Sequence, residues 1–173
     1  EDVLYVIYTS GTTGLPKGTL IDHHSVIRVV KDTNYIRLTG RDRLLQLSNF
    51  AFDGSVFDIY GALLNGGTLV MLEPGSVSAA DTLPDTIRKE HVSVFFVTTA
   101  LFNTLIDIRP DCFDHVRKVL FGGEKVSVPH VRKAVDYLGP QRIVHVYGPT
   151  ESTVFSTFYH INHVDSRLES VPI

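Results

Sequence analysis

An α/β fold, with a mostly parallel sheet and covering helices, is predicted by three features of the sequence. Short runs rich in Val, Ile, Phe and Tyr recur along it, stretches of helical apolar period separate them, and glycines stand where those helices should stop. In chain order, strands are expected at Val3–Thr9, Gly18–Ile21, Leu44–Leu47, Thr68–Leu72, Val92–Val97, Lys118–Phe121, Ile143–Tyr147 and Val154–Tyr159. Helices are expected near His24–Asp32, Ser55–Leu64, Ala79–His91, Ala100–Ile108 and Pro129–Leu138. The run from Val3 to Tyr8 reads as a buried strand because it is continuously apolar. Asn65-Gly66-Gly67 and Leu138-Gly139-Pro140 supply helix stops. There is no internal repeat or low-complexity tract. In folds of this class ligands gather at the carboxyl ends of strands, and the informative residues fall there.

Composition narrows the function classes. The 173 residues are 43% hydrophobic and 20% charged, ordinary usage for a globular chain long enough to bury a core. A net charge of −3 gives no electrostatic footprint for nucleic acid. Cys112 is the single cysteine, so an internal disulfide and a thiolate metal cluster are both excluded. The longest strongly apolar stretch, Val92 to Phe102, is broken by Ser93, Thr98 and Thr99 and falls short of the roughly 20 residues that span a bilayer. A cytoplasmic location without nucleic-acid or membrane partners is expected. Both ends read as interior: an apolar run opens the chain and Val171-Pro172-Ile173 closes it, as in a portion of something longer.

The first chemical feature is Tyr8-Thr9-Ser10-Gly11-Thr12-Thr13-Gly14-Leu15-Pro16-Lys17-Gly18. Its glycines let backbone N–H groups turn toward one point, its Ser and Thr residues add hydroxyl donors, and Lys17 adds a mobile positive charge. Together they form an anion cradle suited to a polyphosphate. A Walker A loop is excluded, because Pro16 precedes Lys17 and Gly18 follows it. The second feature is His145-Val146-Tyr147-Gly148-Pro149-Thr150-Glu151, where Gly148-Pro149 breaks a strand at its carboxyl end. That puts Tyr147, Thr150 and Glu151 at a ligand-facing rim. An aromatic face stacks on a nucleobase, and a carboxylate is the hard oxygen ligand that Mg²⁺ prefers beside phosphates. A third, weaker feature is Gly122-Gly123-Glu124, a paired-glycine turn that lets a flat ring approach the backbone.

The Thr9–Gly18 loop resembles the phosphate-loop motif of the adenylate-forming superfamily, which includes acyl-CoA ligases, luciferases and the adenylation domains of nonribosomal peptide synthetases. The downstream segment resembles that superfamily's Tyr-Gly-Pro-Thr-Glu motif, with His145 where many members carry Asn. The resemblance covers residues 1–173 as a partial adenylation core, part of the larger N-terminal subdomain, with no counterpart here of the family's lysine-bearing C-terminal subdomain. It implies ATP and Mg²⁺ as cofactors. It also implies nucleotide contacts from Thr9, Ser10, Gly11, Thr12, Thr13, Gly14, Lys17, Gly123, Glu124, Tyr147, Gly148 and Thr150. Lys17, Thr150 and Glu151 are implied to carry the catalytic work, and Glu151 to hold the metal.

Phe52-Asp53-Gly54-Ser55 resembles the motif of adenylation domains that activate amino acids. Asp53 has two readings: an N-cap for the following helix, or, as the resemblance favours, the partner of an α-ammonium. Asp53 and Phe57 share a helix face at i and i+4. Carrying the family's specificity positions over gives a substrate pocket of Asp53, Gly54, Phe57, Phe96, Leu120, Gly122, Val146, Val154 and Phe155. Val154 and Phe155 are neighbours and would face opposite sides of a regular strand. Apart from Asp53 the set is apolar and resembles the family's pattern for branched aliphatic amino acids, isoleucine before valine or leucine. Other superfamily members, such as a D-alanine–carrier-protein ligase or an acyl or aryl ligase, and a nucleotide-binding piece without turnover, are the alternatives. Asp81, Asp85, Arg88 and Lys89 read as a solvated helix face, and Arg109, Asp111 and Asp114 as an exposed connection. The resemblance further implies delivery of the aminoacyl group to the phosphopantetheine arm of a carrier protein. Because domain closure completes such sites, the chain alone is expected to be weakly active or inactive.

Overall fold

The computed structural model describes residues 2–10, 14–72, 82–165 and 170–173. Gly11, Thr12 and Thr13 of the glycine-rich loop, and Ala79 to Asp81 of the third expected helix, lie outside the described residues. The strands are β1 (Val3–Thr9), β2 (Lys17–Asp22), β3 (Arg43–Gln46), β4 (Thr68–Met71), β5 (Val94–Thr98), β6 (Lys118–Gly122), β7 (Ile143–Tyr147) and β8 (Thr157–Ile161). The α-helices are α1 (His23–Val30), α2 (Gly54–Leu63), α3 (Thr82–Lys89), α4 (Thr99–Ile108) and α5 (Val128–Leu138). Short 3₁₀ turns occupy Pro110–Phe113 and Thr150–Ser152.

A six-stranded sheet runs β4-β3-β5-β6-β7-β8, with every neighbouring pair parallel except β7 with β8. Successive strand residues point to opposite faces, and the buried side chains divide accordingly. Leu45, Phe95, Val97, Val119, Phe121 and Ile143 pack with Phe102, Leu105, Val131 and Ala134 of α4 and α5. Leu44, Val94, Leu120, Val144 and Val146 pack with Val26, Val29, Val56 and Phe57 of α1 and α2. The result is a sheet between two helical layers, as the alternating pattern predicts. The helices end as expected: Gly66 (φ 69°) and Gly139 (φ 80°) take the left-handed backbone that glycine tolerates. Among the described residues, no helix is long and apolar enough to cross a membrane.

Two strand assignments change. Val3–Thr9 is a strand, but among the described residues it pairs only with β2, antiparallel, in a separate hairpin, and Val3, Val6 and Tyr8 are 49%, 47% and 70% exposed. Continuous apolarity was therefore a poor guide to its burial. The last strand begins at Thr157, not Val154, because Thr153 and Val154 both adopt φ 61° and break the extended run. The charged faces of α3 and of the Pro110–Phe113 turn also join: Arg109 pairs with Asp85 and Asp111, and Arg88 with Asp111. Such exposed pairs contribute little stability.

The amino end of the sheet is tied down by one buried acid. Asp42, 3% exposed, accepts from Arg117 Nε at 2.6 Å, Ser93 Oγ at 2.9 Å and the Thr39 N–H at 2.8 Å. Ser93 Oγ in turn accepts the Arg43 N–H at 2.9 Å, so the entries to β3, β5 and β6 share one network. Burial alone would raise the Asp42 carboxyl, but the bonds from Arg117 and the Thr39 N–H outweigh it and hold the group below its ordinary 3.8. A depressed folded pKa stabilises above the unfolded value and loses that stabilisation as pH falls through the folded one. Asp42→Asn is expected to lower unfolding free energy by about 2–3 kcal/mol at pH 7, a value tempered by the partly exposed guanidinium. Urea melts should show the deficit at pH 7 and its shrinkage below about pH 4.

Candidate active site

The register of the sheet places the strand ends together. Thr98 of β5 stands opposite Gly122 of β6, and Gly122 opposite Val146 of β7. Gly122 has no room for a side chain, since a Cβ there would lie 2.1 Å from the Val146 carbonyl oxygen. Gly123 turns away at φ 90° with open space on its Cβ side. Two cavities flank this pair of glycines, and Gly123 lines both.

The first cavity, about 400 Å³, opens beyond the ends of β3, β5 and β6. Leu47, Ser48 and Asn49 form one wall, Phe52, Asp53 and Gly54 at the start of α2 another, and Phe96, Val97, Thr98, Leu101 and Gly122 the rest. Of the expected substrate residues, Asp53, Gly54, Phe96 and Gly122 therefore line it. Phe57, Leu120 and Val146 are essentially fully buried behind it in the core, and Val154 and Phe155 are nearly so. The left-handed turn at Thr153 and Val154 explains how two adjacent side chains enter the same core. Phe96 links the two zones: it faces the cavity, and its ring lies 5.3 Å from that of Phe155, which sits 5.3 Å from Phe57.

Asp53 occupies the helix-cap position in backbone terms, but its side chain makes no capping hydrogen bond. Its carboxylate instead accepts the Val154 N–H at 3.2 Å. Burial raises the Asp53 carboxyl above its ordinary value, against the lowering effect of the Val154 N–H and the Thr150 hydroxyl. A half-buried acid left above its normal pKa is suited to receive a cation.

The second cavity, about 410 Å³, lies beyond β6 and β7 and is lined by Gly123, Glu124, Lys125, Val126, His145 and Tyr147, closed by Ser170, Val171 and Ile173. Tyr147 is half exposed, its ring available to a flat ligand. His145 is 3% exposed, stacks on Phe121 at 5.2 Å and has Nδ1 2.8 Å from the Pro172 carbonyl oxygen. Burial lowers its imidazole pKa, partly opposed by that carbonyl.

The two long sequence motifs meet at the edge of this region. Thr9 Oγ1 donates to Glu151 Oε1 at 3.4 Å across 142 positions of sequence. Lys17 stands opposite Thr9 in the hairpin and is exposed, while Gly14 turns the loop at φ 83°. Ser10 is the last described residue before the loop. The stretch carrying Thr150 and Glu151 is held from beneath by Arg28, whose guanidinium donates to the carbonyls of Ser152 at 2.7 Å, Phe155 at 3.2 Å and Thr153 at 3.3 Å. Gly148 is required there too, because a Cβ would lie 2.4 Å from the Val154 carbonyl oxygen. Among the described residues, no group of three or more His, Cys, Asp or Glu could cage a metal. The exposed Glu151 carboxylate beside the Thr9 hydroxyl instead fits a hard cation held by one protein carboxylate and completed by phosphates and water.

Sequence reasoning missed Ser48, Asn49, Thr98 and Leu101 of the first cavity, its apolar liners Leu47, Phe52 and Val97, and Arg28. The first four follow strand ends or begin a helix, so strand-end position was the available signal. Arg28 gave none, since an arginine on an amphipathic helix reads as solvated.

Comparison with known proteins agrees with this geometry. The model of the family described as AMP-binding enzyme matches residues 1–172. Bacitracin synthase 1 of Bacillus licheniformis is 58% identical over all of this chain, and surfactin synthase subunit 1 of Bacillus subtilis (strain 168) is 46% identical over 96% of it. The chain spans only 3% and 5% of those two proteins. PA1221, a nonribosomal peptide synthetase protein containing adenylation and PCP domains, superposes with a TM-score of 0.89 at 34% identity, over 99% of this chain and 34% of that one. The N-terminal subdomain of Klebsiella oxytoca NpsA, in complex with anthranilyl-AMSN, gives 0.86 at 28% identity over 96% of this chain and 43% of that one. Family match and fold agree: the chain belongs to the AMP-binding enzyme family.

Proposed function

We propose that the chain supports ATP-dependent activation of an amino acid, with formation of an aminoacyl adenylate and release of pyrophosphate. The observation that carries this reading is that one residue, Gly123, lines both cavities, so an acceptor and a nucleotide would lie side by side. The acceptor carboxylate attacks the α-phosphorus of ATP, the bond to pyrophosphate breaks, and the new mixed anhydride remains at the junction. The chain's contribution is positioning and charge neutralisation. Tyr147 stacks on the adenine, Gly123 and Glu124 border it, and the Thr9–Lys17 loop with Thr150 receives the phosphates. Glu151 would hold Mg²⁺, which when bound offsets charge on the phosphate oxygens.

Asp53 pairs with the α-ammonium. The apolar lining of Leu47, Phe52, Phe96, Val97 and Leu101 suits an aliphatic side chain, and a branched one, isoleucine before valine or leucine, is the proposed substrate. A difference of one methylene changes binding by only about 1–3 kcal/mol, so the preference is one of degree. Transfer to the phosphopantetheine of a carrier protein follows, on the analogy of PA1221, which contains adenylation and PCP domains. Residues 1–173 act here as a partial adenylation core, completed by a mobile lysine-bearing subdomain.

Two variants of the complete enzyme test the halves of the site separately. Asp53→Asn removes the charge but keeps an oxygen for the Val154 N–H. It should cost amino-acid-dependent pyrophosphate exchange about 3–5 kcal/mol, because the ammonium is left unpaired, while calorimetric ATP binding is retained; exchange near wild type would refute the ammonium role. Gly148→Ala forces the Thr150–Glu151 turn to shift and should lower kcat/KM for ATP by about a hundredfold, read in the same exchange assay.

A further inference from the structure

Behind the first cavity lies a carboxyl group that the proposed chemistry does not use. Asp58, on α2 one turn beyond Gly54, is fully buried. Its Oδ2 accepts two successive peptide N–H groups, from Leu47 at 3.1 Å and Ser48 at 2.9 Å, just past the end of β3. Among the described residues, its Oδ1 has no hydrogen-bond partner. An unpaired buried oxygen is costly, and burial pushes the carboxyl up to about 7 despite the bonds from Ser48 and Leu47. An apolar residue on this helix face would avoid that cost. What the acid supplies is a fixed position for the chain that becomes the cavity wall.

That wall sets the depth of the cavity. Leu47, Ser48 and Asn49 all line it. Ser48 stands so close over Gly54 that a Cβ on the glycine would lie 2.8 Å from Ser48 Oγ and 3.0 Å from Phe96 Cε1. Ser48 is thus wedged between Asp58, which holds its N–H, and the floor formed by Gly54 and Phe96. A carboxyl that accepts two consecutive peptide N–H groups leaves that wall little freedom to slide, and every ångström of slide would change the space above Gly54.

We propose that Asp58 is a positioning residue for amino-acid selection: by holding the Leu47 and Ser48 N–H groups it fixes Ser48 over Gly54, and so decides which side-chain lengths the cavity admits, without touching the ligand. The inference rests on the reading of this cavity as the amino-acid site.

The test is pyrophosphate exchange by the complete enzyme with valine, leucine, isoleucine and phenylalanine as probes, alongside thermal melts. Asp58→Ala is expected to raise the amino-acid KM about tenfold, to leave the ATP KM nearly unchanged, and to shift the ratio of kcat/KM values among the four probes. Asp58→Asn, which keeps an acceptor oxygen for the two N–H groups, restores the wild-type ratio. Should Asp58→Ala fail to fold, Ser48→Ala probes the same wall from the front and should favour the larger side chains. A folded Asp58→Ala that raises both KM values equally, or Ser48→Ala with wild-type selectivity, overturns the proposal. Loss of amino-acid dependence in Asp53→Asn together with unchanged selectivity in Asp58→Ala or Ser48→Ala sinks this inference alone. Amino-acid-dependent exchange that survives Asp53→Asn removes the acceptor reading, and this inference with it.

Discussion

The site depends on the parallel register of β5, β6 and β7. Because Thr98, Gly122 and Val146 stand side by side, three strands end at one level and their connections emerge at one place. A parallel sheet buried on both faces holds that alignment firmly, since a one-residue slip would turn each strand's side chains to the wrong helical layer. Gly122 is the point where the alignment is tightest. Its backbone packs against the Val146 carbonyl with no space for a Cβ, which lets the two cavities approach within one residue of each other. The proposed transfer of an adenylyl group to a carboxylate would need that closeness, because it joins two ligands that must lie in contact.

A second constraint is the connection from β7 to β8. Thr153 and Val154 both hold left-handed backbone, which is costly for a β-branched residue. The surroundings over-determine it. Arg28 takes three carbonyls from one side, Asp53 takes the Val154 N–H from the other, and the Ser156 N–H donates to the Tyr147 carbonyl at 2.8 Å. The stretch bearing Thr150 and Glu151 is therefore clamped between the acceptor side and α1. Asp53 thus serves in two places, lining the first cavity and anchoring the turn that carries Thr150 and Glu151.

Much of this was legible in the sequence. The buried parallel strands were readable because they are compact apolar runs bounded by turn residues, and β7 was placed at its observed limits. The motifs at Thr9–Gly18 and His145–Glu151 were readable because their residue types state their chemistry. Burial of the hairpin was not readable: Val3 to Tyr8 has the composition of a core strand, and composition says nothing about which partner a strand finds. Side-chain direction at Val154 and Phe155 was not readable either, because two consecutive left-handed residues without glycine leave no local mark. The roles of Arg28 and Asp58 escaped for a further reason. Each acts through backbone groups distant in sequence or on another element, and nothing in a neighbouring residue type records such a bond.

The state of Asp53 shows why fold and function pull in different directions here. In the described structure no cation faces it; its partners are the Val154 N–H and the Thr150 hydroxyl, and burial still leaves its carboxyl above the ordinary value. For folding alone, an acid in that condition is a liability, and Asn would satisfy the Val154 N–H at lower cost. An incoming ammonium reverses the balance, because an opposite charge within a few ångströms favours the ionised form and the desolvation already imposed strengthens the attraction. The same reasoning applies to Asp58 with the opposite outcome: its surroundings offer only neutral groups, the Leu47 and Ser48 N–H groups and the Ser48 hydroxyl, and its second oxygen has no partner among the described residues, so under the proposal it serves by holding the wall rather than by meeting a ligand. Under the proposed function, two acids five residues apart, Asp53 at the cap of α2 and Asp58 within it, thus divide the work of the first cavity, the outer one supplying charge and the inner one supplying shape.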